Sequence, residues 1–304
     1  MSYPEISFVE NKDIDYQKWD DCLACSYSPL VYAQTWYLDL VAPNWGGFIC
    51  GDYEYVMPLV TKRKLGIDFL LQPIFAQQHG IFPEAGEIIQ RAFLSAIYNR
   101  FKYVTINLNA SNSGPFPGEF AVQSRDNFIL NLAQSFDELK KNYSKHTRRQ
   151  IKNAEANKMF IIKGLQTKEY LDLKISSTKN KINKQSIITL ESLIEYGINH
   201  GKGAIYAAYN QTNSLCSAAF FLFSGNRVTY LNACSNEEGK NTSAMHLIVD
   251  QFIQEHSGKL LTLDFEGSMI PGIARFYSGF GAVPEQYHCL KSNRLPIPLR
   301  WVKK

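Results

Sequence analysis

Apolar residues recur at helical spacing in two long stretches of the chain. Ile88, Ile89, Ala92, Phe93, Ala96 and Ile97 mark one face of a helix over residues 85–101, and Met245, Ile248, Val249, Phe252 and Ile253 mark another over 242–256. Shorter β-branched and aromatic runs predict strands at 5–10, 47–52, 54–61, 67–72 and 103–109 in the first half. A breaker cluster, 111–118, carries Pro115 and Pro117. One or two strands follow at 120–132. Ser135 with Glu138 has capping-box spacing and starts a long helix. The second half then reads as a strand (159–165) and two helices (168–182 and 186–200). A three-strand meander (204–209, 215–223, 227–234) follows, broken by polar turns. After the helix at 242–256 come a strand (260–265), a short helix (271–278) and a last strand (283–291). This order is an α+β, mixed α/β layout. The boundary between halves falls near 133–135, giving domains 1–133 and 134–304.

The length of 304 residues fits about two domains. With 45% hydrophobic and 20% charged residues the composition is globular, which excludes a disordered chain and a collagen-like one. A net charge of +4 is too small to indicate nucleic-acid binding by itself. It is unevenly spread, however: Lys140, Lys141, Lys145, Arg148, Arg149 and Lys152 crowd one helix. That helix also has apolar Leu139, Tyr143, Ile151 and Ala154, so its charges fit a solvated face, with Arg148 the best candidate for an anionic ligand. The longest central apolar run, 218–223, is far short of the ~20 residues of a membrane span. Residues 1–13 have neither the basic nor the apolar region of a secretory signal. The six cysteines are scattered, so the expectation is a cytoplasmic protein with reduced thiols. Cys22 and Cys25 lack a second pair, no His-Glu-x-x-His occurs, and no metal is expected.

Two places carry candidate chemistry. Where the strand ending at Cys234 meets the helix at Thr242, the loop holds Glu238, Gly239, Lys240, Asn241, Thr242 and Ser243. Unpaired amides and the positive helix end suit a phosphate, with Gly239 letting the backbone approach a ligand and Lys240 supplying charge; the same residues also read as a plain N-capped helix. Further on, Asp264 and Glu266 end a strand, and Tyr277 follows on the short helix. A carboxylate there can act as a base. Both residues also read as exposed turn positions, and Tyr277 as core. In the first half, Gln78 and His79 lie in a polar stretch, 72–80, within apolar surroundings. With Tyr32 and Trp36 they could line an acceptor site between the domains, or form a packed turn.

Three of these segments together resemble the Fem-like branch of the GNAT acyltransferase superfamily: the basic helix at 141–154, the loop at 237–244, and 264–268 followed by 272–281. The resemblance covers most of 135–290. It implies tandem GNAT-like domains, the first a diverged copy on the acceptor side. The second would bind the acyl donor, with the extreme C-terminus returning to the first. The loop departs from the GNAT pattern because Gly239 is followed by Lys240-Asn241-Thr242. The Fem signature Phe-Lys-x-x-Phe-Gly here reads Phe276-Tyr277-Ser278-Gly279-Phe280-Gly281, with a tyrosine in place of the lysine. The tyrosine resembles the general acid of CoA-dependent members. The resemblance therefore implies an N-acyltransferase using acyl-CoA (acetyl-CoA) on a small-molecule or peptide amine. Glu266 would be the base, Tyr277 the acid and a backbone amide of 230–235 the oxyanion donor. Cys234 and residues 238–243 would hold the cofactor. The alternatives are aminoacyl transfer from tRNA to a peptidoglycan precursor, and a non-catalytic acyl-CoA-binding module.

Overall fold

A computed structural model describes residues 5–27, 29–267 and 269–296. The described chain divides into two compact units, one running to Asp126 and resuming at Gln286, the other Asn127–Glu285. The expected return of the extreme C-terminus falls largely on residues 297–304, outside the described residues.

The first unit opens with β1 (Ile6–Glu10), α1 (Tyr16–Ala24) and α2 (Thr35–Val41). Next come β2 (Gly46–Cys50), β3 (Tyr55–Leu59), β4 (Thr61–Lys64) and β5 (Ile67–Leu71). They are followed by α3 (Glu87–Arg100), β6 (Tyr103–Asn107) and the start of β7 (Ala121–Asn131). Antiparallel β1, β2 and β3 form one small sheet. In the second sheet β4 pairs antiparallel with β5, and β5 runs parallel to β6. The apolar stripe of α3 packs Phe93, Leu94 and Ile97 against Phe48, Met57, Val104 and Ile106.

The second unit contains α4 (Phe136–Lys141), α5 (Lys145–Ala156), β8 (Phe160–Lys163), α6 (Thr167–Ser177) and α7 (Lys184–Asn199). The meander follows as β9 (Gly203–Tyr209), β10 (Leu215–Ser224) and β11 (Arg227–Ser235). The unit closes with α8 (Glu237–Asn241), α9 (Ala244–His256), β12 (Thr262–Gly267) and α10 (Pro271–Ser278). β13 (Val283–Asn293) leads back into the first unit, where it pairs antiparallel with β6. In sheet order β7, β12, β11, β10, β9 and β8 are neighbours, and only β11 and β12 run parallel. The core lies between this sheet and α9, where Phe221 and Phe252 stack at 3.8 Å between ring centroids.

Two long helices expected from the sequence are each broken in two or cut short. The helix from Ser135 has its capping box as read, but ends at Lys141, and Ser144 restarts it by accepting from the Thr147 amide. A second serine cap thus outweighs a continuous run of helix-forming residues. The helix expected over 168–182 stops at Ser177, short of the polar Lys/Asn-rich connector. Residues 237–241, read as loop, form a helical turn of their own before α9 begins at Ala244.

Candidate active site

The parallel strands β11 and β12 are paired only at Arg227–Thr262, Val228–Leu263 and Thr229–Asp264. Beyond that point no ladder pair joins them among the described residues, and the opening between them becomes a cavity of about 640 Å³. One wall is β11 from Tyr230 to Ser235. The facing wall is Glu266 with Ile273, Phe276 and Tyr277 of α10, and the start of α9 supplies Ser243, Met245 and His246. A splayed parallel pair is a natural ligand crevice, because each strand has lost one side of its ladder and leaves backbone groups to be satisfied.

Both strands carry an irregularity at the cavity. In the β10–β11 register Phe220 faces Asn232 and Phe221 faces Tyr230, so Leu231 is an extra residue in β11. A bulge leaves the extra residue's backbone unpaired, here within the cavity wall. In β12 the register to β7 slips between Asp264 and Gly267. Glu266 sits there with a left-handed φ of 60°. A residue with a Cβ stays in that region only when its surroundings hold it. The hold is visible: the Glu266 amide donates to Asp264 Oδ1 at 2.8 Å. Asp264 is fully buried, with Arg227 Nε 3.4 Å from its other oxygen, and Arg227 Nη2 also reaches Glu285 at 3.1 Å. Burial pushes the Asp264 carboxyl up, and the Arg227 charge opposes this.

Tyr277 stacks on Phe265 at 5.0 Å and meets Tyr230 edge-on at 6.2 Å. Burial pushes its phenol up, and the charges of Glu266 and Asp264 push it further, so it holds its proton throughout the neutral range. Cys234 is a buried thiol in the β11 wall, raised to about 11 by desolvation, so it is not a ready nucleophile. Beside it Lys174 of α6 donates to the Ala233 carbonyl at 3.1 Å, and the Tyr170 hydroxyl donates to Asn232 Oδ1 at 2.9 Å.

The loop residues expected to cradle phosphate behave differently from an open nest. Asn236 caps α8 by accepting from the Gly239 amide at 2.8 Å, the Lys240 amide goes to the Asn236 carbonyl, and the Thr242 amide to the Glu238 carbonyl. Lys240 pairs with Glu237 at 2.8 Å. Gly239 is required by packing: a Cβ there would overlap the Cys216 carbonyl oxygen and Ser217 Oγ of β10. Thus Cys234, Gly239, Lys240, Ser243, Glu266 and Tyr277 share one cavity. Glu238, Asn241 and Thr242 instead bond to Asn210, Asn153 and the Glu238 carbonyl respectively. Arg148 is exposed but committed, donating to the carbonyls of Lys140 and Lys141 at the end of α4.

The remaining sequence candidates lie in the first unit. Tyr32, Gln78 and His79 are buried there, and Trp36 is half-buried with its indole N–H on Gln34. Gln78 donates to Gln77, and the His79 amide to the Asn107 carbonyl. Burial drives the His79 imidazole down from its ordinary 6.5 to about 3, only partly offset by the Tyr32 backbone. The folded protein therefore refuses a proton that the unfolded chain accepts below pH 6.5, and stability falls with pH from there towards 3. Between pH 6.5 and 5 this amounts to about 2 kcal/mol. In urea titrations the loss over that interval should shrink by about that much in His79→Gln; an unchanged loss would show that other groups govern acid lability.

Sequence reasoning missed His246, which lies in the cavity between Ser243 and Phe276. Burial lowers it to about 4, so it is a neutral imidazole at pH 7. Its only signal was its place beside Met245 in the apolar stripe. Leu231 lies in the 230–235 stretch expected to supply the oxyanion donor, but its bulge left no local signal. Among the described residues no three His, Cys, Asp or Glu side chains gather to hold a metal, and no helix is long and apolar enough to cross a membrane.

Comparison with known proteins bears on the fold alone. No family model and no curated protein matches the sequence. Among solved structures, FemX is 11% identical with a TM-score of 0.60, covering 98% of this chain and 99% of its own. A conserved protein of unknown function from Bacteroides thetaiotaomicron is 11% identical with a TM-score of 0.63, over 94% and 99%. L-PGS from Bacillus licheniformis is 9% identical with a TM-score of 0.57, over 95% of each chain. The fold is thus the Fem-type, GNAT-like α+β fold anticipated from the sequence, matched along nearly the whole chain.

Proposed function

We propose that the protein is an acyltransferase that moves an acyl group onto an amine in the β11–β12 cavity. The observation that carries this reading is the splay itself: an unpaired bulge at Leu231 on one wall faces a carboxylate and a protonated phenol on the other. Those are the three groups a direct acyl transfer needs. Glu266 takes a proton from the attacking ammonium, directly or through water. The backbone amide at the bulge donates to the oxygen that gains charge as the amine adds. Tyr277 gives its proton to the leaving atom. The largely apolar walls, from Leu231, Ala233, Met245, Ile273 and Phe276, suit an acyl chain and exclude competing water.

The donor we favour is acyl-CoA, because the position following Phe276 is a tyrosine able to protonate a thiolate. Fem-type aminoacyl transfer from tRNA is the second reading, favoured by the cationic surface of α5. Tyr32, Trp36, Gln78 and His79 remain candidates for the acceptor side. Tyr32, Gln78 and His79 are buried, so reaching a substrate would require movement of their surroundings. Turnover of an amine panel with acyl-CoA donors tests the reading. Glu266→Gln should lower turnover about 10²-fold at pH 7. Full activity in that variant would remove the base from the mechanism.

A further inference from the structure

We propose that the exposed face of α5 formed by Lys145, Arg149 and Lys152 holds the phosphate groups of the acyl donor at the mouth of the cavity. This rests on the acyl-transfer reading above and names where the anionic part of the donor is bound. The three residues stand at i, i+4 and i+7, so they share one helix face about 10 Å long. All three are exposed, and among the described residues none pairs with a carboxylate.

Their helix is fastened to the cavity's edge. Ser243, a cavity residue, donates to Gln150 at 2.5 Å, and Asn153 donates to the Asn241 carbonyl at 3.2 Å. His146 lies next to Arg149, and its ring is 6.1 Å from that of His246, inside the cavity. The nearer alternative is less suited to an anion: the Gly239 and Lys240 amides of α8 are used within its own turn, Glu237 and Glu238 stand at its start, and Lys240 pairs with Glu237. The thirteen-residue α9 begins without a side-chain cap: the His246 amide goes to the Ser243 carbonyl, and the positive dipole end stands beside the cavity residues Ser243 and Met245. A donor with its acyl end in the cavity has its phosphates led along the start of α9 onto the α5 cations. Coenzyme A and the 3′ end of a tRNA share this chemistry.

The test is binding, with no turnover required. Affinity is measured for coenzyme A and for an RNA minihelix ending in CCA, at low and moderate salt. The proteins are the wild type, a variant with Lys145→Gln, Arg149→Gln and Lys152→Gln, and a control with Lys62→Gln, Lys64→Gln and Lys291→Gln. The α5 variant should lose at least about tenfold for whichever probe the wild type binds, with a weaker salt dependence, while the control stays within about twofold. Equal melting temperatures show that the substitutions leave the fold intact. The probe that responds identifies the donor class. If the wild type binds a probe and the α5 variant binds it equally well, the assignment to α5 is wrong while acyl transfer stands. If the wild type binds neither probe, the phosphate-bearing donor and the α5 site fall together.

Discussion

Replacing Tyr277 by phenylalanine is expected to lower turnover about 10³-fold and to leave donor affinity nearly unchanged. The ring would remain stacked on Phe265 and edge-on to Tyr230, so packing and the shape of the cavity are conserved. What is lost is a proton held at the cavity wall by burial and by the neighbouring carboxylates. A general acid acts only as the bond to the leaving group breaks, so its removal appears in kcat, with KM largely untouched. Unchanged turnover, or a loss confined to KM, would mean that Tyr277 is only part of the wall. Donor binding with no turnover in either protein would favour the non-catalytic binding module.

Asp264→Ala is expected to cost about 3–5 kcal/mol of stability, the usual penalty for removing one partner of a buried ion pair. Asp264 is wholly buried, faces Arg227 at 3.4 Å and accepts the Glu266 amide. Its loss removes the carboxylate opposite a buried guanidinium and releases the amide that fixes the left-handed backbone at Glu266. Asp264→Asn keeps an acceptor for that amide and should be milder in urea titrations. The comparison separates two roles. If Asn restores stability and turnover together, Asp264 positions Glu266 through the hydrogen bond. If both variants are equally unstable, the charge opposite Arg227 is the greater contribution. A stable Asp264→Ala protein would contradict both.

The strand meander, the stripe of α9 and the cap at Ser135 were legible because each is written in local periodicity or turn chemistry. The fold class rested on those patterns, and the Fem-type resemblance on the segments at 141–154, 237–244 and 264–281. Gly239 was visible as a special position, but its reason was not: the close approach is to Cys216 of β10, which is remote in sequence. Arg148 looked like the best cation for a ligand, yet its guanidinium closes a helix end that the sequence pattern places inside one continuous helix. The splay of β11 from β12 and the bulge at Leu231 arise where pairing between strands is interrupted, and local periodicity does not mark the residue at which that happens. Tyr277 and Glu266 could be singled out as candidates from the chain; the strand splay that forms the cavity they line could not.

The most direct measurement is a crystal structure of the protein bound to an unreactive acyl-donor analogue, chosen by which probe the wild type binds. The acyl carbonyl oxygen should lie within hydrogen-bond distance of the backbone amide at the Leu231 bulge, with the leaving atom beside the Tyr277 hydroxyl and Glu266 facing the carbonyl carbon. An acyl group seated outside the opening between β11 and β12, or seated there with Tyr277 and Glu266 out of reach, would contradict acyl transfer at this site.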